Sequence, residues 1–371
     1  MIKTAYTLKK VEKEAVQELK NELYTENAKM VIYFCSPSYD QGVLAKEMKE
    51  AFPQAVVFGA STANNEYIQG KLLEGSVVAM VLTDEVVEKV AVYVLENIDK
   101  EVNIDGLKEH FEKEFNMSLM EMDMDKYIGF ELMDGMSLAE EKVLDKLGDI
   151  TNVMFIGGSA GDNLEFKETH IHAEGKAYTK AGVFVLMKSK VPFDVVKTQS
   201  FDVVNRPVKV TKADPDNRIV YEFDGRPALE VYKEIFGIEK DEDVQSKFFD
   251  NQFGLVVGDE VYVRCPRQVM EDGSLAFYAS ILEGTEIYPL RATNIVEETK
   301  HYLQNKGLSK DNVLGYVNFQ CVVRCVTLKG NNEAEKYTNL FDFPMIGFST
   351  YGEAYFGHVN ATDTAVVFLK G

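Results

Sequence analysis

Tryptophan is absent from the 371 residues, proline occurs only nine times and cysteine four, and the 40 basic residues are outnumbered by 60 acidic ones. Four cysteines (Cys35, Cys265, Cys321 and Cys325) in a chain this long do not make a disulfide framework. A formal charge of −20 is repelled by phosphate backbones and by anionic lipid, which argues against nucleic acid and membrane surfaces as partners. No apolar run approaches the ~18 residues of a membrane-spanning helix. The start, MIKTAYTLKKVEKEAVQELK, has no unbroken apolar core of a secretion signal. These absences predict a soluble, cytoplasmic protein with reduced thiols. Apolar residues make up 46% of the chain, enough to bury real cores, and the length suggests two domains.

One order of elements recurs. Residues 11–23 carry Val11, Val16, Leu19 and Leu23 at helical spacing, and 30–35 (MVIYFC) is a short apolar run bounded by turn formers, hence a buried strand. Residues 42–52 read as a helix stopped by Pro53, 55–58 as a strand ending at Gly59, and 75–82 and 87–95 as two further strands. Strand, helix and strand then return at 127–133, 138–147 and 152–156, with a closing strand at 181–187. They return again at 313–321, within 322–340 and at 344–346, with closure at 364–369. A fourth, eroded copy is expected over 219–280, with strands at 219–223, 253–257 and 261–264 and a helix at 227–236. The fold class expected is α+β (mixed α/β), with mixed sheets flanked by helices and domains at 1–203 and 204–371.

Registering the copies on their glycines aligns Gly59-Ala60-Ser61-Thr62, Gly157-Gly158-Ser159-Ala160 and Gly347-Phe348-Ser349-Thr350, each followed shortly by an acid (Glu66, Asp162, Glu353). Glycine lets a backbone approach closely, and Ser61, Thr62, Ser159 and Ser349 offer uncharged donors and acceptors at sheet ends, where open mixed sheets bind ligands. The same hydroxyls also satisfy turn amides. The middle copy spells the Gly-x-Ser-x-Gly of a hydrolase nucleophile elbow, but 163–174 alternates like a strand where the elbow needs a helix. His170-x-His172 makes half a metal site with no third ligand, and Cys321-x₃-Cys325 is not a zinc knuckle. Arg226 stands at a helix entrance, placed either to meet an anionic group or to tie an acid. The methionines at 117, 120, 122 and 124 are expected to fill a gap in the core.

Several strings then resemble one family. Asp224-Gly225-Arg226-Pro227-Ala228 with Val231-Tyr232, Phe319-Gln320-Cys321 with Arg324 three residues on, and Gly347-Phe348 with Gly352-Glu353 resemble the FIST C domain. Phe58-Gly59-Ala60-Ser61-Thr62 and Gly75-Ser76-Val77-Val78 resemble the FIST N domain, so the resemblance spans about residues 28 to 370. It implies an intracellular, non-catalytic sensor of a small polar metabolite such as an amino acid or organic acid. In bacteria such domains stand alone or are joined to chemoreceptor, histidine-kinase or diguanylate-cyclase modules, so the output partner here would be a separate signalling protein of that kind. The binding residues expected on this reading are Arg226 or Arg324 for a carboxylate, Glu353 for an ammonium, and Ser349, Asn360, Cys321, Gly352 and His358 around them. No cofactor is expected. Two alternatives stay open: a haem-based gas sensor with His358 as axial ligand, and an enzyme using Cys321 as nucleophile.

Overall fold

The computed structural model describes every residue except Asp259. By contacts the chain divides into two units, neither a continuous half. One holds Met1–Lys197, Lys300–His358 and Asp363–Gly371; the other holds Thr198–Thr299 and Val359–Thr362. The class is mixed α/β.

The first unit is built from the three glycine–serine copies. In each, a leading strand (Ala28–Cys35, Tyr127–Met133, Val313–Cys321) runs parallel to a glycine-bearing strand (Val56–Ser61, Phe155–Ser159, Met345–Thr350). Parallel neighbours need a crossover, supplied by the helices Gln41–Ala51, Glu140–Ile150 and Val322–Gly330. A closing strand (Val77–Thr83, Ala181–Ser189, Thr362–Leu369) pairs antiparallel with the other edge of the leading strand.

Between glycine strand and closing strand each copy makes a small hairpin, and that hairpin leaves its own copy. Glu66–Ile68 pairs with Met345–Thr350 of the third copy, Ile171–Ala173 with Val56–Ser61 of the first, and Glu353–Ala354 with Phe155–Ser159 of the second. The exchange closes on itself, and each of the three six-stranded sheets is finished by a neighbour's hairpin. No copy can complete its sheet alone, the usual condition of repeat architectures.

Strand alternation explains why the leading strands read as unbroken apolar runs. Along Ala28–Cys35, Met30, Ile32 and Phe34 enter a core shared by all three sheets, whereas Val31, Tyr33 and Cys35 face the helices Glu12–Leu23 and Gln41–Ala51. Phe34 stacks on Phe348 at 4.3 Å between ring centroids and meets Phe319 edge-on at 5.9 Å, so the first and third sheets interlock through aromatic rings. The helix Gln41–Ala51 is started by Asp40, whose carboxylate accepts from the Val43 amide at 2.9 Å.

The second unit is a nine-stranded sheet with the helix Ala228–Phe236 packed on it through Ala228, Val231, Tyr232 and Phe236. Gly237, at φ 68°, closes that helix by donating to the Lys233 carbonyl. The fourth copy is corrected here. Its segments exist, but Gly225 (φ 73°) folds Arg226–Pro227 back onto Ile219–Phe223, so the position a parallel partner would take is filled. Asn251–Val257 instead pairs antiparallel with Glu260–Arg264 and Glu286–Ala292. The methionine expectation is also corrected: Met122 is buried, while Met117, Met120 and Met124 reach solvent.

Candidate ligand site

The glycines are dictated by close approach. In register, Gly59 lies beside Tyr33, Gly157 beside Glu131 and Gly347 beside Asn318. A Cβ would sit 2.2 Å from the Tyr33 carbonyl oxygen, 1.6 Å from that of Glu131 and 2.6 Å from that of Asn318. The strands can run this close only where no side chain intervenes.

Beyond the glycines the three bends clasp one another in the same cyclic order as the hairpins. The Gly161 amide donates to the Ser61 carbonyl (3.0 Å), Ala63 to Ser349 (2.8 Å) and Tyr351 to Ser159 (3.0 Å). The serine hydroxyls are buried and engaged. Ser61 Oγ donates to the Gly161 carbonyl at 2.7 Å and accepts from the His170 amide at 3.0 Å. Ser349 Oγ accepts from the Asn65 amide, and Ser159 Oγ donates to Glu140 Oε1, both at 3.0 Å. Two copies add the same second bond: Thr62 donates to Glu66 at 2.6 Å and Thr350 to Glu353 at 2.5 Å. Residues 160–170 after Ser159 carry no helix, so the nucleophile elbow is not formed; of the stretch expected to alternate, only Ile171–Ala173 is a strand.

A second group gathers in the third copy. Cys321 pairs in register with Thr350 and immediately precedes the helix Val322–Gly330. His358 presses its imidazole on Gly352, where an added Cβ would lie 2.1 Å from Cε1. Through the bond from Thr350, Glu353 joins the same patch. One helical turn past Cys321 stands Arg324, 1% exposed, whose charge acts on Tyr67, Tyr316, Tyr337 and Asp363. Asp363 accepts from Asn318 Nδ2 at 2.6 Å and from the Tyr337 hydroxyl at 2.8 Å. Burial nevertheless raises its carboxyl to about 6, against the opposing pull of Arg324 and Tyr337. Beside them Gln320 is fully buried with neither side-chain oxygen nor nitrogen hydrogen-bonded.

Arg226 and Asn360 fall in the other unit, which corrects the expectation of a single-domain cluster. Arg226, half-exposed, ties an acid: its Nη1 lies 2.8 Å from Glu234 Oε2. Residues the sequence reasoning passed over are Asn318, Tyr337 and Asp363. For Asn318 and Asp363 the signal was polarity inside otherwise apolar strands, whereas Tyr337 lies on the short helix Ala334–Thr338.

The thiols and imidazoles give little support to the alternatives. Burial pushes the Cys35 thiol well above its ordinary value and Cys325 up to about 11, and Cys265 and Cys321 are buried as well. Native protein at neutral pH is therefore expected to resist iodoacetamide at all four cysteines and to take four labels once unfolded. Rapid labelling of Cys321 alone would revive the nucleophile. His172, held down to about 3 by burial, stacks on Tyr33 at 5.3 Å, and His170 faces Glu168. Among the described residues no group of three or more His, Cys, Asp or Glu side chains is placed to hold a metal ion. Haem does not fit at His358, because the Cε1–Nε2 edge that would face iron lies against Gly352.

Two family models match this chain: the FIST N domain over residues 29–226 and the FIST C domain over 228–355. The chain belongs to the FIST family. FIST domains are associated with signal-transduction sensing of small ligands. The FIST C match takes in both Ala228–Phe236 of the second unit and the leading strand of the third copy, so family boundary and contact boundary differ. An uncharacterized protein of Methanocaldococcus jannaschii is 25% identical over 283 residues, covering 66% of this chain and 54% of that protein. The FIST chain thus spans about half the length of this relative. A solved cyanuric acid hydrolase, 9% identical, covers 100% of this chain and 99% of its own at a TM-score of 0.36, a likeness too weak to carry any argument. No helix among the described residues is long and apolar enough to cross a membrane.

Proposed function

We propose that this FIST protein senses a small polar metabolite, an amino acid or organic acid, without transforming it, and passes the signal to a separate signalling protein in the cytoplasm. The observation that supports the reading is the buried patch of the third copy, where Cys321, Thr350, Gly352, Glu353 and His358 meet one turn from the buried guanidinium of Arg324. Arg324 is the group for a ligand carboxylate and Glu353 the group for an ammonium. Buried thiols and a Ser61 hydroxyl already donated to the Gly161 carbonyl offer no activated nucleophile there, which supports binding over catalysis.

A thermal-shift panel of amino acids and organic acids tests it. A ligand at about 100 times its dissociation constant adds about 2.7 kcal/mol, so a true ligand raises the melting temperature by several degrees and is recovered unchanged. Glu353→Gln is expected to abolish the shift while the variant stays folded. A well-folded sample with no shift across the panel, or a ligand recovered chemically altered, overturns the proposal.

A further inference from the structure

An apolar cleft of about 300 Å³ opens beside the helix Glu140–Ile150 in the first unit, lined by Met124, Leu144, Leu147, Val153, Phe155 and Phe356. Its rim has two features that folding alone does not ask for. Phe356 stands 74% exposed at a hairpin tip with φ 52°, a left-handed conformation that costs a bulky residue of order 1 kcal/mol or more. Met120 and Met124, 52% and 57% exposed, lie on the neighbouring loop, and methionine adapts its shape to whatever covers it.

The second feature is charge. Glu141, Asp145 and Asp149 recur every four residues and so form one stripe along the helix, an arrangement of like charges that weakens a helix by itself. Burial, then Glu141 and Asp149, hold the Asp145 carboxyl above its ordinary value. Glu121, Asp123 and Asp125 add to the acidity on the methionine loop. Of the nearby cations, Lys126 pairs with Asp123 at 2.8 Å and Lys146 donates to the Val102 carbonyl, while Lys142 lies on the same helix, leaving acids in excess along it.

We propose that this cleft docks a basic amphipathic helix of a partner protein, its apolar side chains entering beside Phe356 and Met124 and its lysines or arginines lying along the acidic stripe. The geometry is that of a helix laid in an apolar groove, with residues at three- and four-residue spacing as anchors. Charge complementarity selects this occupant over a second copy of the chain, since a self-complementary contact would bring two acidic stripes together in a molecule of net charge −20. The inference goes beyond the ligand reading and is tested without any ligand, so either can fail alone.

The test uses the full chain and a fluorescent leucine–lysine peptide with an amphipathic helical pattern, read by anisotropy. A scrambled peptide of the same composition has the same charge but no apolar face. The patterned peptide is expected to bind more tightly than the scrambled one. Phe356→Ser and Met124→Ser, neutral changes at exposed positions, are each expected to weaken it roughly tenfold. Asp145→Asn with Asp149→Asn is expected to weaken binding and flatten its salt dependence. Equal binding of the two peptides, or an affinity untouched by Phe356→Ser, would reduce the effect to attraction by a polyanion and overturn the proposal. A dimer in sedimentation that Phe356→Ser dissolves would assign the cleft to a second copy, and also overturn it.

Discussion

Gly157→Ala is expected to cost the protein its folded first unit, whereas Gly148→Ala, nine residues earlier, is expected to stabilise it. At Gly157 a Cβ would lie 1.6 Å from the Glu131 carbonyl oxygen and 2.6 Å from its carbon. These are backbone atoms of a paired strand, so no rotamer change relieves the overlap; the two strands must part. Parting them breaks the parallel ladder from Gly129 to Met133 and draws out the bend whose Ser159 carbonyl holds Tyr351. Overpacking in a well-fitted core costs about 1–3 kcal/mol, and a clash with backbone belongs at or above the upper end. Gly148 lies in the helix Glu140–Ile150 with nothing within 4 Å of its Cβ position, so alanine there gains roughly 0.5–1 kcal/mol of helix propensity. Gly59→Ala and Gly347→Ala, with approaches of 2.2 and 2.6 Å, should rank below Gly157→Ala in severity. Urea denaturation followed by circular dichroism checks the series. A Gly157→Ala midpoint close to that of the unsubstituted chain would mean that the strands do not approach as described.

Much of this architecture was legible because strands buried on both faces leave long apolar runs. Residues 127–133 and 313–321 form strands with those bounds, and the Gly-x-Ser spelling marked the three bends that the structure draws together. The hairpin exchange was not legible. Glu66–Ile68 and Ile171–Ala173 are three-residue strands whose partners lie in other copies, and short-range pattern carries no information about so distant a pairing. The same blindness produced the fourth copy, since Ile219–Phe223 has the composition of a leading strand and only its antiparallel neighbours show that it is not one. At the candidate site, composition pointed to charged residues and missed their surroundings. Arg324 was singled out, yet the buried Asp363 on which its charge acts was not, nor were Asn318 and Tyr337, which hydrogen-bond to that carboxylate from two further elements. Methionines with apolar composition were assigned to the core, although three of the four in the 117–124 loop lie at the surface.

Stability is expected to rise as pH falls from about 8 toward 5, and Glu131→Gln is expected to remove much of that slope. Glu131 faces the helix layer, fully buried, its Oε2 without a hydrogen-bond partner; burial and then the neighbouring Glu140 raise its carboxyl to about 8. Glu66 is raised to about 7 by burial even though Thr62 and Ser76 hydrogen-bond to it, and Asp363 to about 6. In the unfolded chain these groups lose their protons near pH 4. Between pH 4 and 8 the folded state therefore binds more protons than the unfolded one, and the linkage relation makes stability fall as pH rises through that window. The contribution is fully present below the unfolded values and is lost as each folded value is passed, last of all at Glu131. Glutamine cannot ionise, so Glu131→Gln should exceed the unsubstituted protein by on the order of 3 kcal/mol at pH 8.5 relative to the same comparison at pH 5. Any cost of seating the amide next to Glu140 is the same at both pH values and drops out of that difference. Urea midpoints at the two pH values provide the measurement, and parallel curves for the two proteins would show that Glu131 is ionised and paired in the folded chain.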